Sequence, residues 1–585
     1  MTLKKYNAID IETDGLDIYD KINFIGIHSW DGTPEDKGTS IIIDCSTEDP
    51  SEYLKELTSG KYITVFHNGK FDTKMIKFQL GYTIPMSHDT MLLAYMCSTA
   101  TELIDNRGKW LGLKPCAQRL LGVEDWDVSL TKKTSKLKAD VAKYLEKDIY
   151  YTRKLYEKLR TMIDPQDVKT YHLMMMATEV YRDIECNGVP ININQLKDTM
   201  AEYQEIEEDV DLQLKSYADI NWNSPKQLQE LLYEKLKLPI PSFTKTNQPG
   251  TGIEALFKLE GKHPIVDLIL KRRKADKALT FLKDWLDKQH DGIIYPTFNL
   301  HTTVTGRTSC NNPNFQQVPR NKDLKSLFQS TDPDWEMVCL DYSQAELRTA
   351  SVVAGVKAIK DSYNNGEDLH RNMAALVAGC KPEEVTKQQR TQAKAINFGY
   401  LYGMQPKSFV EYAKLSYGVD VTLEEATHIR NKFFESYKEL PKYYKDTQNA
   451  LINQGYVTSI MGRRYKIDFK ALQFPDLRQK YLRRILNFPV QSAASDIMLC
   501  ALIEIHNTLP KDEVKLVATV HDSVEMLIKK NEHFKDNILK IQSIMQHPKL
   551  ANKFLSVPWD VPLVADIEVG PFGIGVELEE YLKEA

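Results

Sequence analysis

The segment LVATVHDSVEML (516–527) places a histidine and an aspartate between two apolar runs. The runs have the composition of β-strands, so His521 and Asp522 fall on the turn between them. Asp is a common turn residue, and a simple β-turn explains the dipeptide by itself. A carboxylate at a hairpin tip is also a suitable metal ligand. The dipeptide alone leaves both interpretations open.

A second apolar strand, far earlier in the chain, also ends in a carboxylate. The segment MVCLDYSQAELR (337–348) runs into Asp341. If this strand and the one before Asp522 are neighbours, the two carboxylates meet at one edge of a sheet. Two like charges side by side require a cation between them. Two divalent cations at such an edge suit nucleotidyl transfer, in which a 3′-hydroxyl is activated and a triphosphate is held.

A third segment, RTQAKAINFGYLYG (390–403), repeats functional side chains at steps of four. Arg390, Lys394, Phe398 and Tyr402 therefore share one slowly drifting stripe of a predicted helix. Cations suit phosphates, and aromatic rings suit stacking on a base and sugar. The stripe predicts a nucleotide cradle, and the alternative is an amphipathic helix whose charged ends reach solvent.

The N-terminal region carries an ordered set of acidic groups. Asp10 and Glu12 in AIDIETDG lie two apart, so both point to the same face of a strand. Asp72 follows in HNGKFD, which also supplies Asn68, and YLEKD places Tyr144 and Asp148 one helical turn apart. Four carboxylates and a tyrosine predict a site for two Mg²⁺ or Mn²⁺ ions that cleaves phosphodiesters, with Tyr144 positioning the water. Chance surface carboxylates are an adequate alternative for the D-x-E pair alone.

Composition bounds the class of protein. The chain has 585 residues, 42% of them hydrophobic and 27% charged, which suggests roughly three or four domains. Eight scattered cysteines without a C-x-x-C pair argue against zinc and disulfides and fit a reducing cytoplasm. We expect neither a membrane span nor a signal peptide, because no long apolar run occurs and a strand begins near residue 6.

The net charge of −5 is unusual for a nucleic-acid binder. If the chain binds DNA, its positive charge must be concentrated on one face. Each basic run can equally be a solvated helix face. The candidate runs are KRRKADK (271–277), GRRYK (462–466) and RQKYLRR (478–484).

The order of predicted elements indicates several domains. Short β-branched runs up to about residue 80 and a helix over 131–160 predict an α/β domain, and Pro165 marks a linker over 162–168. Residues 170–290 are helical in pattern, 292–350 form short strands and loops, and 351–450 are helical again. Strands and helices mix over 455–585. A β-region interrupted by a helical insertion requires two distant segments to pair.

Taken together, these motifs resemble those of two families. DYSQAELR, R-x-x-x-K-x-x-x-F-G-x-x-Y-G and HD are similar to motifs A, B and C of the family A, DNA polymerase I-type, polymerases. The segments TGRTSCNNPNFQQVP (305–319), GYVTSIMGRR (455–464) and NFPVQSAASDIM (487–498) agree with this. The N-terminal carboxylate set resembles the DEDDy 3′→5′ exonucleases that proofread.

The resemblance implies an α/β and α+β multidomain fold, in which an RNase H-like exonuclease domain precedes a right-hand polymerase. The implied divisions are the exonuclease (1–160), the thumb and connecting helices (165–290), a first palm segment (291–350), the fingers (351–454) and a second palm segment (455–585).

It also implies residue roles. The metal ligands would be Asp341, the Tyr342 carbonyl and Asp522 for polymerisation, and Asp10, Glu12, Asp72 and Asp148 for the exonuclease, with Tyr144 also catalytic. The nucleotide-binding residues would be Tyr342, Gln344, Glu346, His370, Arg390, Lys394, Phe398 and Tyr402. The DNA-contacting residues would be Arg307, Asn314, Gln316, Gln491 and His521.

Two of these assignments concern selectivity among nucleotides. Glu346 matches the steric gate that excludes a ribose 2′-hydroxyl. Phe398, in place of tyrosine, implies poor use of dideoxynucleotides.

Arg and Gln side chains can contact minor-groove acceptors that all correct base pairs share, which tests pairing without reading sequence.

The chain departs from the family pattern in a few places. Ser523 stands where the family usually has Glu after His-Asp, which puts metal affinity in question. Ser492 and Ala493 follow Gln491 in place of the usual Gly-Thr, and the usual Thr after LH is missing from LHRNMAA. We expect no 5′-nuclease domain before residue 10, and the compact arrangement is phage-like.

The resulting expectation is template-directed DNA synthesis with 3′→5′ proofreading in replication, with two Mg²⁺ ions per site that Mn²⁺ can replace. The expected partners are primer-template DNA, dNTPs and replisome proteins such as a helicase–primase and a single-strand binding protein. We expect a monomer in a bacterial or phage-infected cytoplasm. A single-subunit RNA polymerase is disfavoured by Glu346, and a nuclease with an inert polymerase half is disfavoured by intact Asp341 and Asp522. A non-catalytic DNA-end-binding protein would leave both carboxylate sets without purpose.

Overall fold

The computed structural model describes residues 3–104, 108–126, 138–244 and 246–584. The chain forms two compact units. The first comprises residues 1–187, 298–310 and 340–567, and the second comprises residues 188–297, 311–339 and 568–585. The helix expected over 131–160 is described from Lys138 to Met162, and residues 131–137 of that prediction lie outside the described residues.

The strands are β1 (Tyr6–Thr13), β2 (Ile22–Trp30), β3 (Thr39–Asp44), β4 (Ile63–Phe66), β5 (His88–Asp89), β6 (Val189–Pro190), β7 (Ile293–Ile294), β8 (Thr297–Asn299), β9 (Ser309–Asn311), β10 (Trp335–Tyr342), β11 (Tyr456–Thr458), β12 (Arg464–Lys466), β13 (Val514–Val520), β14 (Ser523–Lys529) and β15 (Ala565–Val569).

The α-helices are α1 (Ser51–Thr58), α2 (Gly69–Leu80), α3 (Thr90–Cys97), α4 (Ala100–Ile104), α5 (Leu113–Leu121), α6 (Lys138–Met162), α7 (Val168–Asn187), α8 (Ile193–Lys215), α9 (Pro225–Gln229), α10 (Ile253–Phe257), α11 (Pro264–Lys288), α12 (Lys322–Lys325), α13 (Ala345–Val353), α14 (Lys357–Asn364), α15 (Leu369–Ala378), α16 (Lys387–Tyr400), α17 (Pro406–Tyr417), α18 (Leu423–Ser436), α19 (Glu439–Gln454), α20 (Pro475–Arg484), α21 (Phe488–Thr508), α22 (Phe534–Gln546) and α23 (Leu578–Glu584).

The N-terminal sheet of the first unit has the strand order β3-β2-β1-β4-β5. β1 pairs antiparallel with β2 and parallel with β4, so it is central and its apolar residues Ala8, Ile9 and Ile11 are buried. This central position confirms the predicted α/β arrangement of the N-terminal region.

Helix α6 packs closely against this sheet because β2 carries a glycine at the contact. Gly26 pairs with Asp10 across the strands. A Cβ at Gly26 would lie 2.8 Å from Cγ of Leu145 and 3.1 Å from a methyl of Ile149, both on α6. The missing side chain therefore lets α6 approach the strand that carries Asp10.

A second sheet has the order β13-β14-β10-β15. β13 and β14 form an antiparallel hairpin in which Val520 pairs with Ser523, leaving His521 and Asp522 as the turn. β10 lies next to β14 although many helices of the first unit separate them in sequence. The prediction that two distant segments pair to complete a sheet is confirmed.

The helices inserted between β10 and the hairpin share a core of their own. Buried side chains of α13 to α18 pack together, among them Leu347, Ile396, Phe409 and Phe433. Helix α16 begins with a capping box in which Thr386 and Gln389 satisfy each other's backbone N–H groups. These contacts hold α16 beside α15 and α17.

The second unit is built around helices α8 and α11. Val210 and Leu214 of α8 pack with Ile265 and Ile269 of α11 in one buried cluster. The prediction of helical structure over most of 170–290 is confirmed, with a π-helix over Glu230–Lys235 and irregular chain over 236–244 and 246–252.

Helix α21 has the length and apolar composition of a membrane span, and 83% of its most apolar window is buried inside the protein. Such burial is typical of a core helix.

Candidate functional site

One candidate site lies where β1 meets α6. Ligand oxygens of Asp10, Glu12 and Asp148 all lie within 4.8 Å of one another. Burial raises the pKa of Asp10 well above its usual value, and the charges of Asp72, Asp148 and Glu12 raise it further. Carboxylates this close repel one another unless a cation lies among them. The donor set is therefore suited to a hard divalent cation.

Asp72 completes this cluster from the first turn of α2. Its Oδ1 accepts a hydrogen bond of 3.0 Å from the N–H of Ile11, the residue between Asp10 and Glu12. Burial raises the pKa of Asp72 to about 7, although hydrogen bonds with Asp10 and the Ile11 N–H oppose the rise. All four predicted carboxylates thus come together.

Asp89 holds the turn that precedes Asp72. Its carboxylate accepts from the N–H groups of Asn68 at 3.2 Å and Gly69 at 2.8 Å. The same carboxylate accepts from Met91 and Leu92 and caps α3. Asn68 has the left-handed φ of +62° that this turn requires. Asn68 therefore serves as a turn residue in the N-x-x-x-D motif.

Two residues of this site were not anticipated from the sequence. Lys114 of α5 donates a hydrogen bond to the Tyr144 hydroxyl, and its Nζ lies 3.9 Å from Oδ2 of Asp148. The indole N–H of Trp126 donates to Oδ1 of Asp148 at 2.5 Å. Neither residue belongs to a recognisable local pattern, so only the fold brings them to Tyr144 and Asp148.

The second candidate site lies at the tip of the β13–β14 hairpin. The backbone N–H of Tyr342 donates to the carbonyl of Asp522 at 3.2 Å, so the carboxylates of Asp341 and Asp522 sit on adjacent chain segments. His521 has a φ of +57° at the turn. The dipeptide is therefore a tight turn that also carries a carboxylate, and the two interpretations of the sequence are compatible.

The electrostatic surroundings of Asp522 come from residues that the sequence had singled out. Burial raises its pKa and the charge of Glu346 adds to this, whereas Arg307 and His521 lower it. Arg307, Glu346 and His521 thus lie close enough to act on Asp522, while the Asp341 side chain is exposed.

The side chains of Tyr342 and Gln344 are both hydrogen-bonded to other groups of the protein. The Tyr342 hydroxyl is buried and donates to the Met545 carbonyl at 2.5 Å. The Gln344 side chain accepts from the Tyr363 hydroxyl at 3.0 Å. The backbone carbonyl of Tyr342 remains the portion of this residue suited to a metal.

Glu346 is held by two partners. Nη2 of Arg307 donates to Oε1 at 2.5 Å, and the Tyr402 hydroxyl donates to Oε2 at 3.0 Å. Burial and the neighbouring Glu346 charge raise the pKa of Tyr402 well above its usual value, so Tyr402 stays a donor.

The predicted stripe on α16 is shorter than its sequence pattern. Arg390, Lys394 and Phe398 lie on the helix, but α16 ends at Tyr400 and Tyr402 lies beyond it. The prediction that all four share one helix is wrong. Gly403 explains the end, because its φ of +76° and its N–H bond of 3.0 Å to the Tyr400 carbonyl close the chain into a turn.

His370 lies against this helix from α15. Nδ2 of Asn397 lies 2.9 Å from Nδ1 of His370, and the ring centroids of His370 and Phe398 are 5.9 Å apart. Burial, followed by the charges of Arg390 and Lys394, lowers the pKa of His370 to about 4, against the opposing effect of Asp368. Neutral His370 that accepts from Asn397 carries its proton on Nε2. Asn397 is a further residue that the sequence did not single out.

The predicted DNA-contacting residues are distributed over both units. Arg307, Gln491 on the first turn of α21 and the exposed His521 belong to the first unit. Asn314 and Gln316 belong to the second, where they flank the buried Phe315.

Ser523, the departure at the hairpin, is linked to a carboxylate two residues on. Its Oγ lies 2.7 Å from Oε1 of Glu525 and 3.0 Å from the Val520 carbonyl. Ser523 and Glu525 share one face of β14, and Glu525 is fully buried. The sequence offered Glu525 no role.

Comparison with known proteins decides the family. The family described as DNA polymerase family A matches residues 192–572. The chain belongs to the family A DNA polymerases. Residues 2–164 of this family A polymerase match the family described as 3′-5′ exonuclease. The predicted family and the order of exonuclease before polymerase are confirmed.

Bacterial and phage polymerases are both similar to this family A polymerase. DNA polymerase I of Aquifex aeolicus (strain VF5) is 30% identical over 546 residues, which cover 89% of this chain and 88% of the relative. The DNA polymerase of Escherichia phage T5 is 27% identical over 605 residues, covering 92% and 69%. DNA polymerase I of Bacillus subtilis (strain 168) is 30% identical, and the match spans 68% of this chain but only 45% of that relative.

A solved structure shares the fold. The polymerase domain of Pol1 from M. smegmatis, in complex with DNA primer-template and dNTP, superposes with a TM-score of 0.82 at 22% identity, covering 97% of this chain and 95% of that one. The protein is thus an enzyme, a template-directed DNA polymerase with a proofreading 3′→5′ exonuclease domain.

Proposed function

We propose that Asp341, Asp522 and the Tyr342 carbonyl form the polymerisation centre of this enzyme. The observation that supports the proposal is the bond from the Tyr342 N–H to the Asp522 carbonyl, which joins the two distant chain segments that carry Asp341 and Asp522. Oxygen donors of this kind suit two Mg²⁺ ions, with Mn²⁺ as a substitute. Bound there, the ions supply activation of the primer 3′-hydroxyl and charge neutralisation at the triphosphate.

The incoming dNTP is bound by the fingers. Arg390, Lys394 and Nε2 of His370 contact the triphosphate, because the two cations and one ring N–H suit its oxygens. Phe398 and Tyr402 pack over the base pair, with Gln344 and Tyr342 shaping the adjoining surface. Glu346 limits the space at the sugar 2′ position. Phe398 implies poor dideoxynucleotide use, and ready termination by dideoxynucleotides would contradict this.

The exonuclease centre comprises Asp10, Glu12, Asp72 and Asp148, whose separation of 4.8 Å or less for three members suits shared divalent cations. Tyr144 positions the attacking water, and Lys114 and Trp126 orient Tyr144 and Asp148 through the hydrogen bonds described above. A mispaired end frays more easily than a paired one and reaches this centre as a single strand.

Primer-template DNA and dNTPs are the proposed ligands, as in the complex of the M. smegmatis relative. Arg307, Asn314, Gln316, Gln491 and His521 contact the DNA. We assign exonuclease (1–160), thumb (165–290), palm (291–350 and 455–585) and fingers (351–454) segments. The proposed setting is replication by a monomer in a bacterial or phage-infected cytoplasm, with a helicase–primase and a single-strand binding protein as partners.

The test is a 5′-labelled primer on a longer template with Mg²⁺, with and without dNTPs. Wild-type protein should lengthen the primer with dNTPs and shorten it without them. Asp341→Ala should abolish lengthening alone, and Asp10→Ala should abolish shortening alone. Loss of both activities in either variant, with the fold intact by melting temperature, would contradict the assignment of two separate centres.

A further inference from the structure

One carboxylate joins two helices of the fingers. Asp368 immediately precedes α15, where its Oδ1 accepts from the N–H groups of His370 at 3.0 Å and Arg371 at 3.1 Å. Its Oδ2 accepts from Nε of Arg390 on α16 at 2.6 Å. Asp368 therefore caps the helix that carries His370 and at the same time binds Arg390.

The edge of the guanidinium that Asp368 uses is informative. Arginine offers one Nε–H and four terminal N–H groups in a rigid plane. Within the described residues, the bond to Asp368 uses Nε, and the Arg390 side chain is 42% exposed. The terminal nitrogens can therefore meet an anion without loss of the bond to Asp368.

We propose that Asp368 is a positioning residue for nucleotide binding, holding the Nε edge of Arg390 so that its terminal nitrogens receive the triphosphate of the incoming dNTP. This rests on the triphosphate-binding role proposed above for Arg390. By capping α15, the same carboxylate also fixes the backbone of His370. One side chain thus sets two of the groups that meet the phosphates.

Pre-orientation explains why such a residue is useful. A flexible arginine loses rotamer freedom when it binds a phosphate, and some of that cost is removed if the side chain is already held. The competing possibility is that Asp368 occupies Arg390 and must be displaced by the triphosphate. The two possibilities predict opposite changes in KM when the charge of Asp368 is removed.

The decisive variant is Asp368→Asn, assayed by single-nucleotide incorporation of the correct dNTP on a primer-template. Asparagine caps helices as well as aspartate does, so α15 should stay intact. We expect KM for dNTP to rise about 2- to 5-fold, as for a partly exposed ion pair, with kcat changed by less than about twofold. Asp368→Ser, which also retains a cap, is the second variant if the first does not fold.

The matched control is Asp420→Asn. Asp420 forms an exposed ion pair of 2.7 Å with Lys414 in the same group of helices, and its loss should leave KM for dNTP unchanged. Exonuclease activity on single-stranded DNA should be unchanged in Asp368→Asn, which checks the fold independently.

A double-mutant comparison separates positioning from general damage. In an Arg390→Lys background, which lacks the guanidinium edge, Asp368→Asn should have no further effect on KM. An unchanged or lowered KM in Asp368→Asn alone would overturn the proposal. If Arg390→Ala leaves KM unchanged, both the triphosphate-binding role of Arg390 and the positioning role of Asp368 are wrong. If Arg390→Ala raises KM but Asp368→Asn does not, only the positioning role fails.

Discussion

The hydroxyl of Tyr402 donates a hydrogen bond to Oε2 of Glu346 at 3.0 Å. Arg307 holds the other oxygen of the same carboxylate, so Glu346 is fixed in one position. A fixed side chain can exclude a ribose hydroxyl, whereas a mobile one could yield to it. Glu346→Ala should therefore raise ribonucleotide incorporation relative to deoxynucleotide incorporation by on the order of 10- to 200-fold, the range for one group in a pocket.

The measurement is the ratio of kcat/KM for each rNTP and its matching dNTP. Tyr402→Phe keeps Glu346 and its bond to Arg307, and it should relax the selection less than Glu346→Ala. An unchanged ratio in Glu346→Ala would remove Glu346 from sugar selection.

The carboxylate cluster at β1 and α6 predicts stabilisation by divalent cations. A ligand at about 100 times its Kd stabilises a folded protein by about 2.7 kcal/mol. Mg²⁺ should raise the unfolding temperature of wild-type protein, and Asp148→Asn should reduce that increase because it removes one of the clustered charges. Glu52→Gln, an exposed acidic change on α1, serves as the control. Chelation of the divalent cation should abolish both the polymerase and the exonuclease activity. An equal rise of the unfolding temperature with Mg²⁺ in wild type and Asp148→Asn would contradict the cation site.

The buried pair of Arg463 and Asp496 predicts a large effect on stability. Nη2 of Arg463 donates to Oδ1 of Asp496 at 2.7 Å, and both side chains are at most 2% exposed. Asp496→Ala would leave a buried arginine unpaired, so the free energy of unfolding should fall by about 3–5 kcal/mol. Denaturant unfolding measures this. Asp446→Ala, which breaks an exposed pair with Lys442, should leave the midpoint unchanged; equal effects of the two variants would refute the argument.

Burial of His28 on β2 predicts a loss of stability in mild acid. Nη1 of Arg153 lies 3.2 Å from Nε2 of His28, and the Ser40 hydroxyl lies 2.9 Å from Nδ1. Burial, with the Arg153 charge second, lowers the pKa of His28 from 6.5 to about 4. A lowered folded pKa means that the unfolded chain binds the proton first. The contribution of the neutral, buried His28 to the free energy of unfolding is thus fully present above pH 6.5 and is lost as the pH falls toward 4.

His28→Gln, which can still accept from Arg153, should reduce the loss of unfolding free energy between pH 7.5 and 5 by roughly 1 kcal/mol, allowing for solvent screening. Denaturant titrations of both proteins at the two pH values provide the measurement. The same pH dependence in both would show that the pKa of His28 does not differ between the folded and unfolded states, and would contradict the prediction.

The carboxylates borne on strands are predictable from sequence because strand periodicity and turn chemistry are local. Asp10 and Glu12 share a face by alternation alone, and the apolar runs around Asp522 predict its hairpin. The close approach of α6 to Asp10 depends on Gly26, whose importance appears only when the helix is in place. Similarly, Gly306 contacts the Arg463 guanidinium, where a Cβ would lie 2.6 Å from Cζ.

Residues that act through tertiary contacts cannot be identified from local sequence patterns. Lys114 reaches Tyr144 from another helix, and the roles of Asn397 and Asp368 depend on the packing of α15 against α16. The four-residue spacing also extended α16 one step too far. The spacing continues to Tyr402, but the backbone turns at Gly403, and helical periodicity cannot detect where a glycine ends the helix.

We propose that one primer 3′ end is served by two separate carboxylate centres, and a primer with a mispaired 3′ end distinguishes their roles. The primer is incubated with Mg²⁺ and all four dNTPs, and the extended product is sequenced. Wild-type protein should give extended product in which the mismatch has been removed, Asp10→Ala should retain the mismatch in whatever it extends, and Asp341→Ala should only shorten the primer. Removal of the mismatch by Asp10→Ala at the wild-type rate would contradict the proposed role of Asp10 in proofreading.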